Sequence, residues 1–101
     1  MRPGRVLNHG QPAGRLVELD DETFEFTYDV AYRGHPVSLT LPMQVEPHRS
    51  AELFPFFAGL LAEGSTRAIQ HRVLRIDEED DFGLLLATGA DPIGAVSVEP
   101  E

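Results

Sequence analysis

The spacing of apolar residues changes halfway along the chain, and this change limits the folds that the sequence can adopt. In the first half apolar and polar residues alternate, most clearly at Phe24, Phe26 and Tyr28. In the second half apolar residues recur three and four positions apart, starting with Leu53 and Phe57. A period of two is typical of a strand with one buried face, and a period near 3.6 is typical of an amphipathic helix. We therefore predict strands followed by helices.

Turn-forming residues divide the first half into four predicted strands. These strands cover residues 5–7, 14–19, 23–28 and 37–41. In the fourth strand Val37, Leu39 and Leu41 are expected to face inward, because they alternate with polar residues. Pro42 ends this strand or places it at an edge of the sheet. The segment 44–50 that follows is predicted to be a loop.

Helix-capping residues mark the first two predicted helices of the second half. Pro55 belongs in the first turn of the first helix, and Gly64 is its expected terminator. Ser65 or Thr66 can cap the second helix. The residues expected on the inner face of the second helix are Ile69, Val73 and Ile76.

The third predicted helix is capped by Asp77 and ends at Gly89, with the acidic residues 78–80 in its first turn. Its buried face is expected to hold Phe82, Leu85 and Leu86. A turn at residues 91–94 precedes a closing strand over residues 95–98.

Strands, then helices, then one strand predict an α+β fold. We expect a small mixed or antiparallel sheet, built from the N-terminal half plus a C-terminal strand. Two to three helices would cover one face of this sheet. The whole chain, residues 1–101, is expected to form a single domain.

The formal net charge of −9 lies mostly in the second half, where residues 51–101 hold three arginines against ten acidic residues. Such a surface repels phosphate, so direct binding to nucleic acid or to an anionic membrane is not expected. A basic protein partner is favoured, although acidity also serves solubility alone. No apolar run is long enough to span a membrane and no secretory signal is seen, which predicts a cytoplasmic location.

The sequence holds no pattern typical of a catalytic or metal site. The acidic run at residues 77–81 lacks the spacing of an EF-hand loop, and helix capping explains it. No serine lies in a GxSxG motif, and no glycine-rich phosphate loop is present. The HxxxH spacing of a helical metal site is absent among His9, His35, His48 and His71. We predict a protein that is not an enzyme and needs no cofactor.

A cluster of phenylalanines is a candidate docking patch. Phe54, Phe56 and Phe57 fan around more than half a helical turn, so one helix face cannot bury all three. Core packing accounts for most of them, and Phe56 is the ring that we expect a partner to contact.

Four short motifs resemble, in the same order, those of one protein family. Residues 38–42 read SLTLP, similar to SLSLP, and residues 57–67 read FAGLLAEGSTR, similar to FxxLLPEGxxR. Residues 82–95 are similar to FxLLxxxGxDxxGA, and residues 8–16 to NGxxxGxL. Together these motifs resemble the N-terminal subdomain of HipA-type serine/threonine kinases across nearly the whole chain.

The sequence departs from the family pattern in two places. Ala62 replaces the proline of the LLPEG motif, and His9 is an extra residue in the opening turn. A kinase of this type continues into a body that holds the nucleotide, magnesium and catalytic-base residues, whereas this chain ends at Glu101. The resemblance therefore implies a free-standing subdomain.

Free-standing subdomains of this kind are similar to HipS, the small member of HipBST toxin–antitoxin systems. The resemblance implies an antitoxin that binds and inhibits a separate HipA-like (HipT-like) Ser/Thr kinase. In such systems a HipB-like helix-turn-helix protein supplies the DNA binding, and this chain would reach that protein only through the kinase.

On this resemblance, the loop between the first two predicted helices is the expected contact with the kinase. Glu63 and Arg67 can form charge-assisted hydrogen bonds, and Gly64 lets another backbone approach closely. The same segment also fits a purely structural role as helix caps. The full set of predicted partner-binding residues is Glu63, Gly64, Ser65, Thr66, Arg67 and Phe56.

The sequence leaves other functions open. The chain could be a regulatory subunit that completes or activates its kinase, or a domain excised from a longer kinase. It could also be a small-molecule-binding module, which would need a large apolar pocket with convergent polar groups.

Overall fold

The computed structural model describes residues 1–90 and 94–101, and it shows an α+β fold as predicted. The strands of the described part are β1 (Arg2–Asn8), β2 (Gln11–Glu18), β3 (Phe24–Tyr28), β4 (His48–Ser50) and β5 (Val96–Pro100). The helices are α1 (Pro55–Ala58), α2 (Gly64–Val73) and α3 (Asp81–Thr88). The first three residues of the turn predicted at 91–94 lie outside the described residues.

The strands form one antiparallel sheet in the order β4-β3-β2-β1-β5. The turn between β1 and β2 has positive φ at His9 (53°) and Gly10 (77°), as a type I′ hairpin turn requires. The closing strand predicted from the sequence is present and pairs with β1, with Val98 opposite Val6. β1 therefore lies between the second strand and the last strand of the chain.

The core lies between one face of the sheet and helices α1 and α3. Neighbouring strands place Val6, Leu16 and Phe26 on this face, and all three are fully buried. The ring of Phe26 packs 5.4 Å from that of Phe57 in α1. Each such side chain contributes about 1.5–3 kcal/mol by leaving water. The helices supply Phe57, Phe82, Leu84 and Leu85 to this core.

The opposite face of the sheet is mostly polar, although Val17 of β2 is buried there. Arg15 of β2 donates to Glu101 at 2.8 Å, and Arg49 of β4 donates to Glu25 of β3 at 2.7 Å. These pairs are partly or largely exposed, so each is worth at most about 1 kcal/mol. This face needs no cover, and the helices lie on the other one.

The fourth strand predicted from the sequence is wrong, because a buried tyrosine folds that segment into a turn. The Tyr28 hydroxyl accepts a hydrogen bond from the Val37 N–H at 3.0 Å and donates to the Leu41 carbonyl at 2.5 Å. The Leu41 N–H then donates to the Ser38 carbonyl at 3.1 Å. Val37 and Leu41 are buried as expected, but Leu39 is fully exposed at the tip of the turn.

A second tyrosine fixes the start of the same loop. The buried Asn8 side chain donates to the Tyr32 hydroxyl at 2.9 Å, and that hydroxyl donates to the His35 carbonyl at 2.5 Å. The rings of Tyr28 and Tyr32 are parallel, 6.0 Å apart. Hydroxyl groups on the core side thus replace the strand pairing that the alternating pattern predicted.

The edge strand β4 forms where a loop was predicted. It has three residues, and His48 pairs with Phe26 while Ser50 pairs with Phe24. The pairing satisfies backbone groups of β3 that would otherwise face water at the sheet edge. Three residues carry too short a pattern to be recognised from the sequence.

Two predicted helix ends are wrong. α1 has only four residues, with Pro55 in its first turn as expected, and the Gly59 N–H closes it by donating to the Pro55 carbonyl at 2.9 Å. Gly64, the predicted terminator, instead opens α2 with φ +59°, a conformation that glycine adopts without strain. Glu63 occupies the N-cap position of α2, so neither Ser65 nor Thr66 caps it.

The cap of α3 also differs from the prediction. Asp80, not Asp77, precedes the helix, and its side chain accepts a hydrogen bond from the Gly83 N–H at 3.0 Å. Residues 78–80 therefore lie before the helix and not in its first turn. Gly89 ends α3 as predicted, and Phe82 and Leu85 are buried as predicted.

Helix α2 is rotated relative to the prediction. Ile69 and Val73 were expected to face the core, but they are 53% and 71% exposed. The side chains that face α3 are Arg67 and His71, which are four positions apart and therefore lie on one face of the helix. Ile69 and Val73 lie two positions further on, roughly 200° around the helix, so they point away.

None of the helices in the described part of the chain is long and apolar enough to span a membrane.

Tyr28→Phe is expected to lower the free energy of unfolding by about 1–3 kcal/mol, because it leaves the Val37 N–H and the Leu41 carbonyl unpaired in a buried place. Urea unfolding of both proteins measures the change. Arg49→Ala, which removes only an exposed ion pair, is the control and should cost less than about 1 kcal/mol. If the two variants lose the same small amount, the Tyr28 hydroxyl does not hold the loop.

Candidate partner-binding site

The N-terminal end of α3 is held to the sheet by one arginine. Arg2 of β1 donates two hydrogen bonds to the carboxylate of Asp80, at 2.9 Å and 2.7 Å, and a third from Nε to Glu18 of β2 at 2.7 Å. Its guanidinium also lies over the ring of Phe82, 5.3 Å from the centroid. Asp80 also caps α3 by accepting a hydrogen bond from the Gly83 N–H. Asp80 therefore fixes both the start of the helix and its position on the sheet.

The charges of this contact stabilise one another. Hydrogen bonds from Arg2 hold the pKa of the Asp80 carboxyl below its ordinary value. Hydrogen bonds to Asp80 and then to Glu18 raise the pKa of the Arg2 guanidinium. Asp80 therefore stays ionised except in strong acid, and Arg2 stays protonated at every pH at which the protein is studied.

The next residue of the chain ties α2 to the same point. Asp81, the first residue of α3, forms an ion pair with Arg67 of α2, and its carboxylate lies 3.7 Å from Nε2 of His71. His71 is 5% exposed, and its Nδ1 lies 3.2 Å from the Ile76 carbonyl oxygen. Within the described residues its Nε2 has no hydrogen-bond partner.

These contacts make one continuous group from the sheet through α3 to α2. We call it the polar cluster, and its members are Arg2, Glu18, Asp80, Asp81, Arg67 and His71. It fixes the position and rotation of α2, and therefore which side chains α2 presents to solvent.

The predicted partner-binding residues fall into two groups. Glu63, Ser65 and Thr66 are exposed at the N-terminal end of α2, next to the glycine that opens it. Arg67 is held by Asp81 and belongs to the polar cluster. These residues thus form the first turn of a helix and not the loop that the sequence predicted.

Phe56 lies apart from that turn, in α1. It is half-buried, and its ring packs edge-to-face against Phe57 with centroids 5.2 Å apart. The structure therefore places Phe56 against the core and leaves only part of its ring at the surface.

An open acidic groove of about 710 Å³ lies beside the polar cluster. Phe24, Leu53 and Phe82 supply its apolar lining, and Arg2 is the basic residue in it. Its charge would favour a basic side chain of a partner. The carboxylates that line it are Glu18, Glu22, Glu52, Asp77, Glu79, Asp80 and Asp81.

Sequence reasoning missed both the polar cluster and the acidic groove. Arg2 contacts Glu18 and Asp80 across 16 and 78 positions, so no local motif connects them. The acidic run at residues 77–81 was the visible signal, and it was interpreted as helix capping. The described residues contain no group of His, Cys, Asp and Glu that could hold a metal ion.

Asp80→Asn tests the charge in the polar cluster, because asparagine keeps a capping oxygen but loses the ionic bonds to Arg2. The pKa of Asp80 is lowered in the folded protein, so its stabilisation is present above the ordinary value of 3.8 and is lost as the pH falls through the lowered value. The variant should be less stable by about 1–2 kcal/mol at neutral pH, and the difference should vanish in strong acid.

Denaturant unfolding of both proteins at neutral and acidic pH measures this difference. Glu78→Gln, at an exposed neighbouring carboxylate, is the control and should match the wild type at both pH values. A stability difference for Asp80→Asn that is the same at both pH values would mean that packing, and not charge, is responsible.

Comparison with known proteins identifies the family. The family model described as HipA N-terminal domain matches residues 4–99. A solved structure, the N-terminal domain of HipA toxin, superposes with a TM-score of 0.77 at 35% identity, covering 100% of this chain and 93% of that one. These matches are to the N-terminal domain, and they associate the chain with HipA-like kinase systems.

This chain covers very different shares of two relatives. An uncharacterized protein of Haemophilus influenzae is 40% identical over 101 residues, which is 100% of this chain and 94% of that protein. The candidate kinase Y4mE of Sinorhizobium fredii is 35% identical over 104 residues, which is 96% of this chain but only 25% of that protein. On these matches, the chain belongs to the HipA N-terminal domain family.

Proposed function

We propose that this chain is a non-catalytic antitoxin that binds a separately encoded HipA-like Ser/Thr kinase in the cytoplasm and inhibits it. One observation carries the proposal: the same domain makes up a quarter of a candidate kinase in one relative and nearly all of another protein. A domain that is joined to a kinase body in one protein can be supplied as a separate chain in another. The separate chain would then dock where the joined domain does.

Separation of the domain changes what the interface must supply. A covalently joined domain meets its kinase at a high effective concentration, whereas a separate chain depends on its own affinity. To convert a kinase from mostly active to about 99% inactive, the chain must bind the inactive state roughly 10⁴-fold more tightly. The interface therefore has to supply about 5.5 kcal/mol more binding free energy in the inactive state than in the active one.

The first turn of α2 is our candidate for the contact that inhibits the kinase. Glu63, Ser65 and Thr66 are exposed there and offer a carboxylate and two hydroxyl groups. Arg67 would act indirectly, because its bond to Asp81 orients the turn. Phe56 would contribute the exposed part of its ring from α1. Docking would block the kinase cleft or hold its mobile loops in an inactive arrangement.

The acidic surface fits this role better than direct binding to DNA. A net charge of −9 opposes contact with phosphate groups, so any link to DNA would run through a HipB-like helix-turn-helix protein bound to the kinase.

Co-expression with a HipA-like kinase encoded beside this chain tests the proposal. We expect the kinase alone to stop growth, and the chain to restore growth and to co-purify with the kinase. A stable complex without rescue would favour a regulatory subunit that completes or activates the kinase. The absence of any complex would overturn the proposed function.

The double substitution Glu63→Ala with Ser65→Ala tests the first turn of α2. We expect about tenfold weaker inhibition of the purified kinase, since side chains central to an interface carry most of its binding energy. Glu46→Ala, at an exposed glutamate in the loop before β4, is the matched control and should inhibit as the wild type does. Full inhibition by the double variant would exclude this turn as the contact.

A further inference from the structure

Helix α2 faces the protein with its polar side and solvent with its apolar side. Arg67 and His71 lie against Asp81, and His71 is the one buried residue among the ten that form the helix. Ile69 and Val73 point outward, 53% and 71% exposed. A helix of a globular domain normally has the opposite arrangement, with its apolar stripe on the core.

The outward side chains form one continuous stripe along the helix. Ser65, Ile69, Arg72 and Val73 are spaced by four, three and one positions, which places them on one face. We call these four residues the outer face of α2.

The charge around this face is opposite to that of the chain as a whole. Residues 64–76 contain three arginines and no acidic residue, although the net charge of the chain is −9. Arg67 is neutralised by Asp81, whereas Arg72 and Arg75 are exposed. A complementary surface would therefore be apolar in the middle and carry carboxylates at its rim.

We propose that the outer face of α2 docks into an apolar groove flanked by carboxylates on the body of a HipA-like kinase. This inference rests on the proposed function and names the surface that it would use. A helix of ten residues is marginal in water by itself, and α2 gains little from burial within this chain. Docking would cover its apolar residues and extend the contact from Ser65 to the C-terminal end of the helix.

A second copy of this chain is a poorer occupant. The outer face of α2 could meet the acidic groove of another copy, but the two surfaces differ, so the contact would be head-to-tail. Such contacts continue into open chains unless their rotation closes a ring. A kinase groove needs no such closure.

The test compares two valine substitutions in their affinity for the purified kinase, measured by calorimetry. Val73→Glu places a negative charge in the outer face of α2, and it should weaken binding about tenfold or more. Val30→Glu makes the same change at a valine that is 90% exposed in the loop after β3, and it should bind as the wild type does. Arg72→Glu should weaken binding most at low salt.

The outcomes separate this inference from the function on which it rests. If the wild-type chain does not bind the kinase, both are overturned. If the wild type and Val73→Glu bind equally, the inference is wrong and the proposed function stands. Self-association of the wild type that is lost in Val73→Glu, seen by sedimentation, would assign the face to a second copy and overturn the inference.

Thermal unfolding of each variant checks that the fold is intact, as expected for side chains that are largely exposed. If Val73→Glu unfolds early, Ile69→Ser replaces it, because a small polar residue shortens the apolar stripe without adding charge. Wild-type affinity for a folded Ile69→Ser protein would contradict the inference equally.

Discussion

The bidentate bond between Arg2 and Asp80 is the constraint on which the rest of the helical layer depends. It joins the first strand to the cap of the last helix, so the start of α3 is set by the sheet and not by the loop before it. Asp81 follows directly and determines how α2 is rotated through Arg67 and His71. The surface that α2 offers to a partner is thus a distant consequence of one arginine at the sheet.

Local patterns predicted the elements whose environment repeats along the chain. Alternation at Phe24, Phe26 and Tyr28 identified a strand because the sheet buries every second residue there. The same alternation around Leu39 was misleading, because the Tyr28 hydroxyl takes the backbone groups that a strand would have paired. A side chain that is distant in sequence supplied the deciding contact, and no period in the sequence carries that information.

In the candidate site, too, local sequence predicted some features, and contacts between distant segments decided the others. The sequence placed Glu63 and Ser65 in the loop between the first two predicted helices, and the structure places both of them, exposed, at the N-terminal end of α2. The polar cluster and the acidic groove depend on contacts among segments far apart, so they were invisible. The net charge of the chain also hides a local difference. Asp81 lines the acidic groove and contacts the inner side of α2, whereas the outer face of the same helix is apolar and carries Arg72.

The pairing of β5 with β1 has a consequence for the order of folding. Val98 lies opposite Val6, so one side of β1 stays open until residues 96–100 pair with it. On a ribosome the hairpin of β1 and β2 can form early, but its inner strand keeps unpaired amide and carbonyl groups until residues 96–100 emerge. Contacts this far apart in sequence form slowly. The interval between synthesis and a finished sheet would then be the period in which the chain is most exposed to proteases and to pairing with the wrong strand.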